Sequence, residues 1–222
     1  MGGCPCPTPV IYGEGPYADV LREFVASDPA VWVAQQTPIG PDGAPKSGQA
    51  YAYVSGVCAS LDPGTLVIIS TQLPVGSCAR LEADWPDLRF AVQPENVRVA
   101  SARRDFLNAT RFVVGSRHPV RAWFSGVFAP FADVLFMSPE SAEMSKHALN
   151  GLLALAVRYG NEVGALCERH DANPDDVVAA LLSDRRVGDL PIRPGGPPSE
   201  HLLREVHTLI SLGAGPVVRS VL

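Results

Sequence analysis

The sequence predicts an α/β fold: a largely parallel sheet, followed by a helical domain with one long helix. Two observations lead to this prediction. Short runs rich in Val, Ile and Phe punctuate the chain up to residue 137, and most lack polar alternation, as strands buried on both faces do. From residue 138 onward, apolar residues follow the spacing of an amphipathic helix. We therefore predict two domains, residues 1–137 and residues 138–222.

The sheet is predicted from five apolar runs, which lie at residues 30–34, 65–70, 88–92, 110–114 and 133–137. Residues 49–60, between the first two runs, are predicted to form a crossover helix. Strands separated by segments of this length are typical of parallel sheets, because a parallel pair needs a crossover connection.

The helical domain is predicted to begin with a long helix over residues 139–170. Ser138 is a favourable N-cap, and Pro139 suits the first helical position. The next helix is announced by Asn173 as its cap. The two shorter helices are predicted at residues 175–183 and 199–212.

Composition excludes several classes of protein. Hydrophobic residues are 46% and charged residues 18% of the 222, which argues against a disordered chain. The net charge of −5 gives no electrostatic footprint for nucleic acid, and no apolar run is long enough to cross a membrane. Five widely spread cysteines and no visible secretory signal predict a protein with reduced thiols in the cytoplasm.

Two short motifs invite a cofactor or metal interpretation. Residues 13–18 fit the G-x-G-x-x-A pattern of dinucleotide loops, but the next strand ends in Gln35 and Gln36 rather than in the acidic residue that holds a ribose. A Gly-rich turn is therefore the favoured interpretation. Cys4 and Cys6 cannot supply four metal ligands on their own, so no metal site is predicted.

Lys146 and Asn150 lie four residues apart and therefore on one face of the long helix. Asn150 interrupts an otherwise apolar stretch, where an unpaired amide would be costly. Two interpretations stay open. The two residues orient a polar ligand at the edge of the sheet, or Lys146 is solvated and paired with Glu143 while Asn150 caps a neighbouring loop.

Polar residues follow two predicted strands. Glu95 and Asn96 come after the run that ends at Val92, and Thr71 closes the run before it. Ligands of α/β sheets bind outside the carboxyl ends of the strands, so these residues point to one rim. Glu95 and Lys146 could form a base–acid pair there; a plain surface salt bridge is the equal alternative.

Six segments, taken in order, resemble the UDP-glucose/GDP-mannose dehydrogenase family. The resemblance covers residues 9–212. The ten-residue segment Ser141–Asn150 (SAEMSKHALN) is the best match. The other five are Thr37-Pro38-(x)3-Asp42-Gly43, Ser70-Thr71-(x)2-Pro74-x-Gly76, Pro94-Glu95-Asn96, Asn161-Glu162 and Asp184-x-Arg186-Val187-Gly188.

The resemblance implies a Rossmann-like sheet, a long helix that forms a homodimer, and NAD-dependent oxidation of a sugar alcohol to a carboxylate through a cysteine thioester. It implies that Lys146 and Asn150 stabilise the developing oxyanion and hold a water. Glu95 and Thr71 would place the water and the nicotinamide edge.

The substrate in this family is a nucleotide sugar, most often a UDP-sugar. The resemblance implies that Arg186 reaches the sugar nucleotide of the partner subunit. Gly195 and Gly196 would wrap the sugar, and Asn96 would join them. The cofactor-binding residues implied by the same resemblance are Thr37, Pro38 and Thr71.

The chain departs from the family pattern at two places. The family's nucleophilic cysteine falls on His201, and its Lys-Asp pair falls on Arg204 and Glu205. An imidazole cannot form the thioester. The family's first NAD-binding strand, Gly-rich turn and helix have no counterpart, so we expect no independent NAD binding and an exposed sheet edge that a partner chain could complete.

The sequence therefore predicts a truncated nucleotide-sugar dehydrogenase homologue that binds a UDP-sugar but cannot perform the full oxidation alone. Two alternatives stay open. One is an active enzyme of altered chemistry, either a two-electron oxidoreductase or a redox-neutral enzyme that uses His201 as acid or base. The other is a non-catalytic dimeric scaffold.

Overall fold

The computed structural model describes residues 10–25 and 30–222. The described residues form two compact units. The first, called here the sheet unit, contains the residues up to Pro38 together with Lys46–Lys146. The second, the helical unit, contains Ile39–Pro45 and His147–Leu222. The proposed domain boundary between residues 137 and 138 stays a prediction.

Within residues 10–25 and 30–146, the sheet unit contains six strands in the order β1-β2-β3-β4-β5-β6. Neighbouring strands are parallel from β1 to β4 and again from β5 to β6, whereas β4 and β5 are antiparallel and share the single pair Val92 and Gly115. The predicted α/β class with a largely parallel sheet is confirmed. The strands are β1 Val10–Tyr12, β2 Ala30–Val33, β3 Leu66–Ile69, β4 Arg89–Val92, β5 Arg111–Gly115 and β6 Asp133–Met137.

Burial explains why the central runs could be found in the sequence. All four residues of β2 and all four of β3 are buried, so neither strand shows polar alternation. β6 differs: it is an edge strand among the described residues, and Leu135 is 46% exposed. The interpretation of most of these runs as strands buried on both faces therefore does not hold for β6.

Helices cover both faces of the sheet. One face packs an aromatic cluster around Trp32 and Phe106, in which Phe112 and Phe128 stack with ring centroids 3.9 Å apart. The other face packs aliphatic residues such as Val54 and Leu81. The predicted crossover helix is confirmed as α2. The helices are α1 Pro16–Phe24, α2 Ser47–Cys58, α3 Ser77–Asp84, α4 Ala102–Leu107 and α5 Arg121–Phe128.

The predicted long helix is confirmed as α6, Pro139–Arg169. Ser138 caps it as expected, since its hydroxyl accepts a hydrogen bond from the Ser141 amide at 3.2 Å. Gly115 leaves room for this first turn. A side chain at that position would place its Cβ only 2.6 Å from the Ser138 carbonyl oxygen.

The helical unit contains α6 from His147 onward and three shorter helices. Asn173 caps the first of them, because its side chain accepts from the Asp175 amide at 2.9 Å. Two small apolar clusters hold the unit together, one around Ala154 and Val206 and the other around Val178 and Ile192. The three helices are α7 Pro174–Ser183, α8 Glu200–Ser211 and α9 Pro216–Arg219.

Two further observations concern the described part of the chain. None of its helices is both long and apolar enough to cross a membrane. It also contains no cluster of three or more His, Cys, Asp or Glu residues arranged to hold a metal ion. Cys4 and Cys6 lie outside the described residues.

Candidate functional site

The carboxyl ends of three parallel strands carry the polar residues of the candidate site. β2, β3 and β4 are paired in register, so the segments that follow them lie at one edge of the sheet. Together with Lys146 of α6, these segments form what we call the strand-end cluster. Its five members are Thr37, Thr71, Gln72, Glu95 and Lys146.

Lys146 and Glu95 form an ion pair within this cluster. The Lys146 Nζ lies 3.6 Å from the Glu95 Oε1, and the two side chains are only 8% and 19% exposed. The pair is therefore mostly buried, unlike an exposed surface salt bridge. In this setting an ammonium and a carboxylate can orient a ligand hydroxyl or exchange a proton with it.

Gln72 is a member of the cluster that the sequence analysis did not single out. Its side-chain amide donates to the Glu95 Oε1 at 2.5 Å. Its backbone carbonyl accepts a hydrogen bond from the Thr37 hydroxyl. Gln72 therefore joins the segments that follow β2, β3 and β4. Its position directly after Thr71, at the end of a buried strand, was the only signal for it in the sequence.

Thr71 is buried, and its hydroxyl group is engaged with the backbone at the end of β2. It donates to the Val33 carbonyl at 3.2 Å and accepts from the Gln35 amide at 3.1 Å. Two other predicted residues of this edge, Pro38 and Asn96, are exposed. The catalytic or binding roles assigned to Thr71, Pro38 and Asn96 stay predictions.

Glu143 fixes the beginning of α6 on the sheet unit. Its carboxylate is buried and accepts from the Gly76 amide at 2.6 Å and from the Cys78 amide at 2.8 Å, at the N-terminus of α3. A carboxylate is favourable there, because helix N-termini carry unpaired amides and a partial positive charge. Glu143 lies one turn before Lys146, so this anchor also places the lysine.

A buried polar layer lies behind Glu95. The Tyr17 hydroxyl donates to the Gln93 Oε1 at 2.5 Å, and the Ser70 hydroxyl reaches the same oxygen at 3.3 Å. Burial, together with the negative charge of Glu95, raises the pKa of Tyr17 far above its usual value. The phenol therefore stays protonated and acts as a donor.

In the helical unit, Asn161 holds the loop that carries Gly195 and Gly196. Its side chain accepts from the Gly195 amide at 2.7 Å and donates to the Gly196 carbonyl at 3.2 Å. The same loop lies close to α6 at Gly160, where a Cβ would come within 2.2 Å of the Ile192 carbonyl oxygen. Both loop glycines are exposed.

The other predicted residues of the helical unit have different surroundings. Asn150 is 9% exposed. The Arg186 side chain is 88% exposed and pairs with Asp184, with Nη2 and Oδ2 2.5 Å apart. His201 is exposed in the first turn of α8. The functions assigned to Asn150, Arg186, His201 and the two loop glycines stay predictions.

A buried ionic cluster joins α6 to α8 within the helical unit, and the sequence analysis did not predict it. Glu205 accepts from the Arg204 Nε at 2.9 Å, and its other oxygen lies 2.5 Å from the His147 Nδ1. All three residues are less than 5% exposed. Burial opposes ionisation, but the hydrogen bond with His147 and the charge of Arg204 outweigh it and lower the pKa of Glu205.

The surroundings of the Gly-rich segment at residues 13–18 favour the predicted turn over a dinucleotide loop. It does lie between a strand and a helix, but a Cβ on Gly13 would come within 2.6 Å of the Gln35 amide nitrogen, so the glycine serves strand packing. The Gly13 carbonyl accepts from Arg22, and Asp19 adds a negative charge to the first turn of α1. These features disfavour a pyrophosphate.

None of the three cysteines in the described part of the chain is an exposed thiol, since Cys58, Cys78 and Cys167 are all buried. Burial raises the pKa of Cys58 to about 11, and burial together with nearby carboxylates raises the pKa of Cys78 further. These two thiols therefore stay protonated near neutral pH, whereas a nucleophile must be a thiolate.

Comparison with known proteins identifies one family. Residues 140–213 match the UDP-glucose/GDP-mannose dehydrogenase family, central domain. The UDP-glucose 6-dehydrogenase of Pseudomonas aeruginosa is 30% identical over 183 residues, which make up 76% of this chain and 40% of that protein. The enzyme of the same name from Rhizobium meliloti is 28% identical over 193 residues, 81% of this chain and 44% of that protein.

The fold is similar to solved structures as well. The structure of a UDP-glucose dehydrogenase from the archaeon Pyrobaculum islandicum matches with a TM-score of 0.73 and 28% identity. This match covers 94% of the present chain and 51% of the archaeal chain. The chain thus spans about half, or less, of the length of the relatives that it matches.

Proposed function

Because the chain belongs to the UDP-glucose/GDP-mannose dehydrogenase family, we propose that it binds a nucleotide sugar, with a UDP-sugar as the first candidate. One observation carries the proposal: the buried pair of Lys146 and Glu95 at the carboxyl edge of the sheet. Ligands of α/β sheets bind at this edge, and a buried cation and anion side by side recognise a polyhydroxylated ligand through charge-assisted hydrogen bonds.

In the sheet unit, three residues contribute to this binding. Lys146 donates to an oxygen of the sugar, and Glu95 accepts from a hydroxyl group. Thr71 orders the strand end beside them through its two backbone hydrogen bonds. In the helical unit, the family resemblance assigns ligand contacts to Asn150 and to the loop of Gly195 and Gly196.

We propose further that this chain does not perform the four-electron oxidation alone. The residue aligned with the family's nucleophile is His201, and an imidazole cannot form a thioester. Cys58 and Cys78 are buried and protonated. NAD is the family's cofactor, and it supplies the acceptor for hydride when bound. Residues 13–18 do not fit it, so we expect no NAD binding by this chain alone, and no step is assigned to it.

We also propose that the protein is a cytoplasmic homodimer that pairs through α6. Leu152, Tyr159 and Leu166 follow each other at intervals of seven residues and are 51%, 56% and 42% exposed. Residues seven apart lie on one side of a helix, so α6 presents an apolar stripe to solvent. Arg186 would then contact the ligand of the partner subunit. The same stripe favours the scaffold alternative, in which the dimer forms but no ligand binds.

The first experiment is a calorimetric titration of the protein with UDP-glucose. The chain has only two lysines, so Lys146→Met has a matched control in Lys46→Met, at an exposed position. We expect Lys146→Met to weaken binding by about tenfold or more, because a hydrogen bond to a charged group contributes about 1.5–3 kcal/mol. Lys46→Met should bind like the wild type.

Three results would contradict the proposal. Equal affinity of the two lysine variants would remove Lys146 from the site. An absence of heat with the wild-type protein would contradict UDP-sugar binding and leave the scaffold alternative standing. Saturable binding of NAD in a parallel titration would overturn the proposal that this chain does not hold the cofactor alone.

A further inference from the structure

Gln72 is the one side chain of the strand-end cluster to which no function has been given. We propose that Gln72 is a positioning residue: it holds the Glu95 carboxylate in place and leaves the Lys146 ammonium available to the ligand. This inference rests on the proposed binding of a nucleotide sugar. With this arrangement, Lys146 can contact a ligand while the Glu95 carboxylate keeps its position.

The distances show which group carries the hydrogen bond. The Gln72 Nε2 lies 2.5 Å from the Glu95 Oε1, and the Lys146 Nζ lies 3.6 Å from the same oxygen. The amide is thus within hydrogen-bond distance, whereas the ammonium is at the distance of an ion pair without a direct hydrogen bond. The Glu95 side chain is oriented by the neutral donor.

The amide is itself held in place. The backbone carbonyl of Gln72 accepts a hydrogen bond from the Thr37 hydroxyl, and the neighbouring residues Thr71 and Leu73 are both buried. The backbone of Gln72 is therefore fixed from both sides. With the backbone fixed, the contact with Glu95 has to order only the side-chain torsions of Gln72.

The consequence is a division of tasks. Without Gln72, a ligand oxygen that drew the ammonium away would leave the mostly buried Glu95 carboxylate with one long hydrogen bond, from the Val97 backbone amide at 3.4 Å, which is costly. With Gln72 present, Glu95 keeps a donor while Lys146 turns to the ligand. Tyr17 donates to Gln93 rather than to Glu95, so among the hydrogen bonds described here it does not replace Gln72.

A double-mutant cycle tests this proposal. UDP-glucose affinity is measured by calorimetry for the wild type, Gln72→Leu, Glu95→Leu and the double variant. We expect Gln72→Leu to weaken binding about five- to tenfold in the wild-type background and to have no further effect in the Glu95→Leu background, where the acceptor of the contact is gone. Gln49→Leu, which removes an exposed amide from α2, is the control and should bind normally.

One result of this cycle would contradict the proposal. If Gln72→Leu weakens binding by the same factor in both backgrounds, Gln72 does not act through Glu95 and the proposal is wrong. A merely structural loss would persist in the Glu95→Leu protein, because it does not depend on the carboxylate.

A second measurement separates this inference from the proposed function. In the NMR spectrum of the unliganded protein, the side-chain amide protons of Gln72 should lie downfield of ordinary glutamine amides and return to the ordinary range in Glu95→Leu. If the wild type fails to bind UDP-glucose but shows this signal, the proposed function fails and the contact stands. An ordinary Gln72 signal in the wild type would overturn the positioning role by itself.

Discussion

The sheet unit and the helical unit are stabilised in different ways. The sheet unit buries two large apolar clusters, one on each face of its sheet, and its buried charges lie at the strand ends and at a helix terminus. The helical unit has only two small apolar clusters. It buries the ionic cluster of His147, Arg204 and Glu205 and leaves Leu152 and Tyr159 exposed.

This difference shows where each unit gets its stability. A large apolar core stabilises through burial and close packing, which depend little on pH or protein concentration. The helical unit has a small core, an ionic cluster and an exposed apolar stripe. Its stability should therefore depend on both pH and protein concentration. The sheet unit should therefore be stable by itself, whereas the helical unit should need the correct charges and a partner.

The largest effect is expected in the aromatic core of the sheet unit. Phe128→Ala removes a fully buried ring that stacks on Phe112, and it should lower the free energy of unfolding by about 3–5 kcal/mol. Urea unfolding followed by tryptophan fluorescence measures this directly, since Trp32, Trp85 and Trp123 all belong to the sheet unit.

The control for this substitution is Leu107→Ala, at an exposed position at the end of α4. It should change the stability by less than about 0.5 kcal/mol. Similar effects of the two substitutions would show that the aromatic cluster is not the main source of stability in this unit.

The second effect concerns the ionic cluster of the helical unit. Glu205→Gln removes the carboxylate charge that pairs with the buried Arg204, and breaking a buried ion pair typically costs about 3–5 kcal/mol, so we expect the lower end of that range. Hydrogen exchange of the α8 amides should be faster in the variant. Exchange in β2 and β3 should change little if the two units are stabilised separately.

The same cluster predicts the response to acid. The pKa of Glu205 is lowered from its usual value near 4.5, so the folded state keeps this carboxylate ionised at a pH where the unfolded chain protonates it. Its stabilisation is complete above that usual value and is lost as the pH falls through the lowered pKa. The protection of the α8 amides against hydrogen exchange should therefore decrease on acidification in the wild type. This pH-dependent decrease should be missing in Glu205→Gln.

The smallest effect is expected from the exposed stripe of α6. Tyr159→Glu places a charge in the proposed dimer interface and should raise the dimer dissociation constant about tenfold, which analytical ultracentrifugation can measure. Glu168→Lys lies on the opposite side of the same helix and should leave the constant unchanged. If the wild-type protein is monomeric in this experiment, the proposed dimer through α6 is wrong.

The sequence was sufficient for the elements whose signal is local. Uninterrupted apolar runs identified β2 and β3, and the caps Ser138 and Asn173 marked the beginnings of α6 and α7, where their hydrogen bonds are observed. The short helices α3, α4 and α5 were not predicted. They have eight residues or fewer, too few for a clear helical period, and their positions depend on packing against the sheet.

The candidate site was predictable only in part, for a similar reason. That Glu95 follows a strand is visible in the sequence, and so is the helix that carries Lys146. The partners of Gln72, Glu143 and Glu205 are not visible, because each is set by contacts between residues 23 to 67 positions apart. For Glu205, the neighbouring Arg204 was in view, but His147 lies 58 residues away.

A single residue pair joins β4 to β5, so the sheet consists of two parts, which we call panels. Four strands, β1 to β4, form one continuous parallel panel, and β5 with β6 forms another; Val92 and Gly115 are the one residue pair in the ladder between them. The backbone hydrogen bonds between the panels are therefore few, and the apolar clusters that contain Trp32 and Phe112, or Val33 and Val113, hold the panels together. The larger panel is complete by Val92, so a growing chain on the ribosome can close it before the second panel has been synthesised.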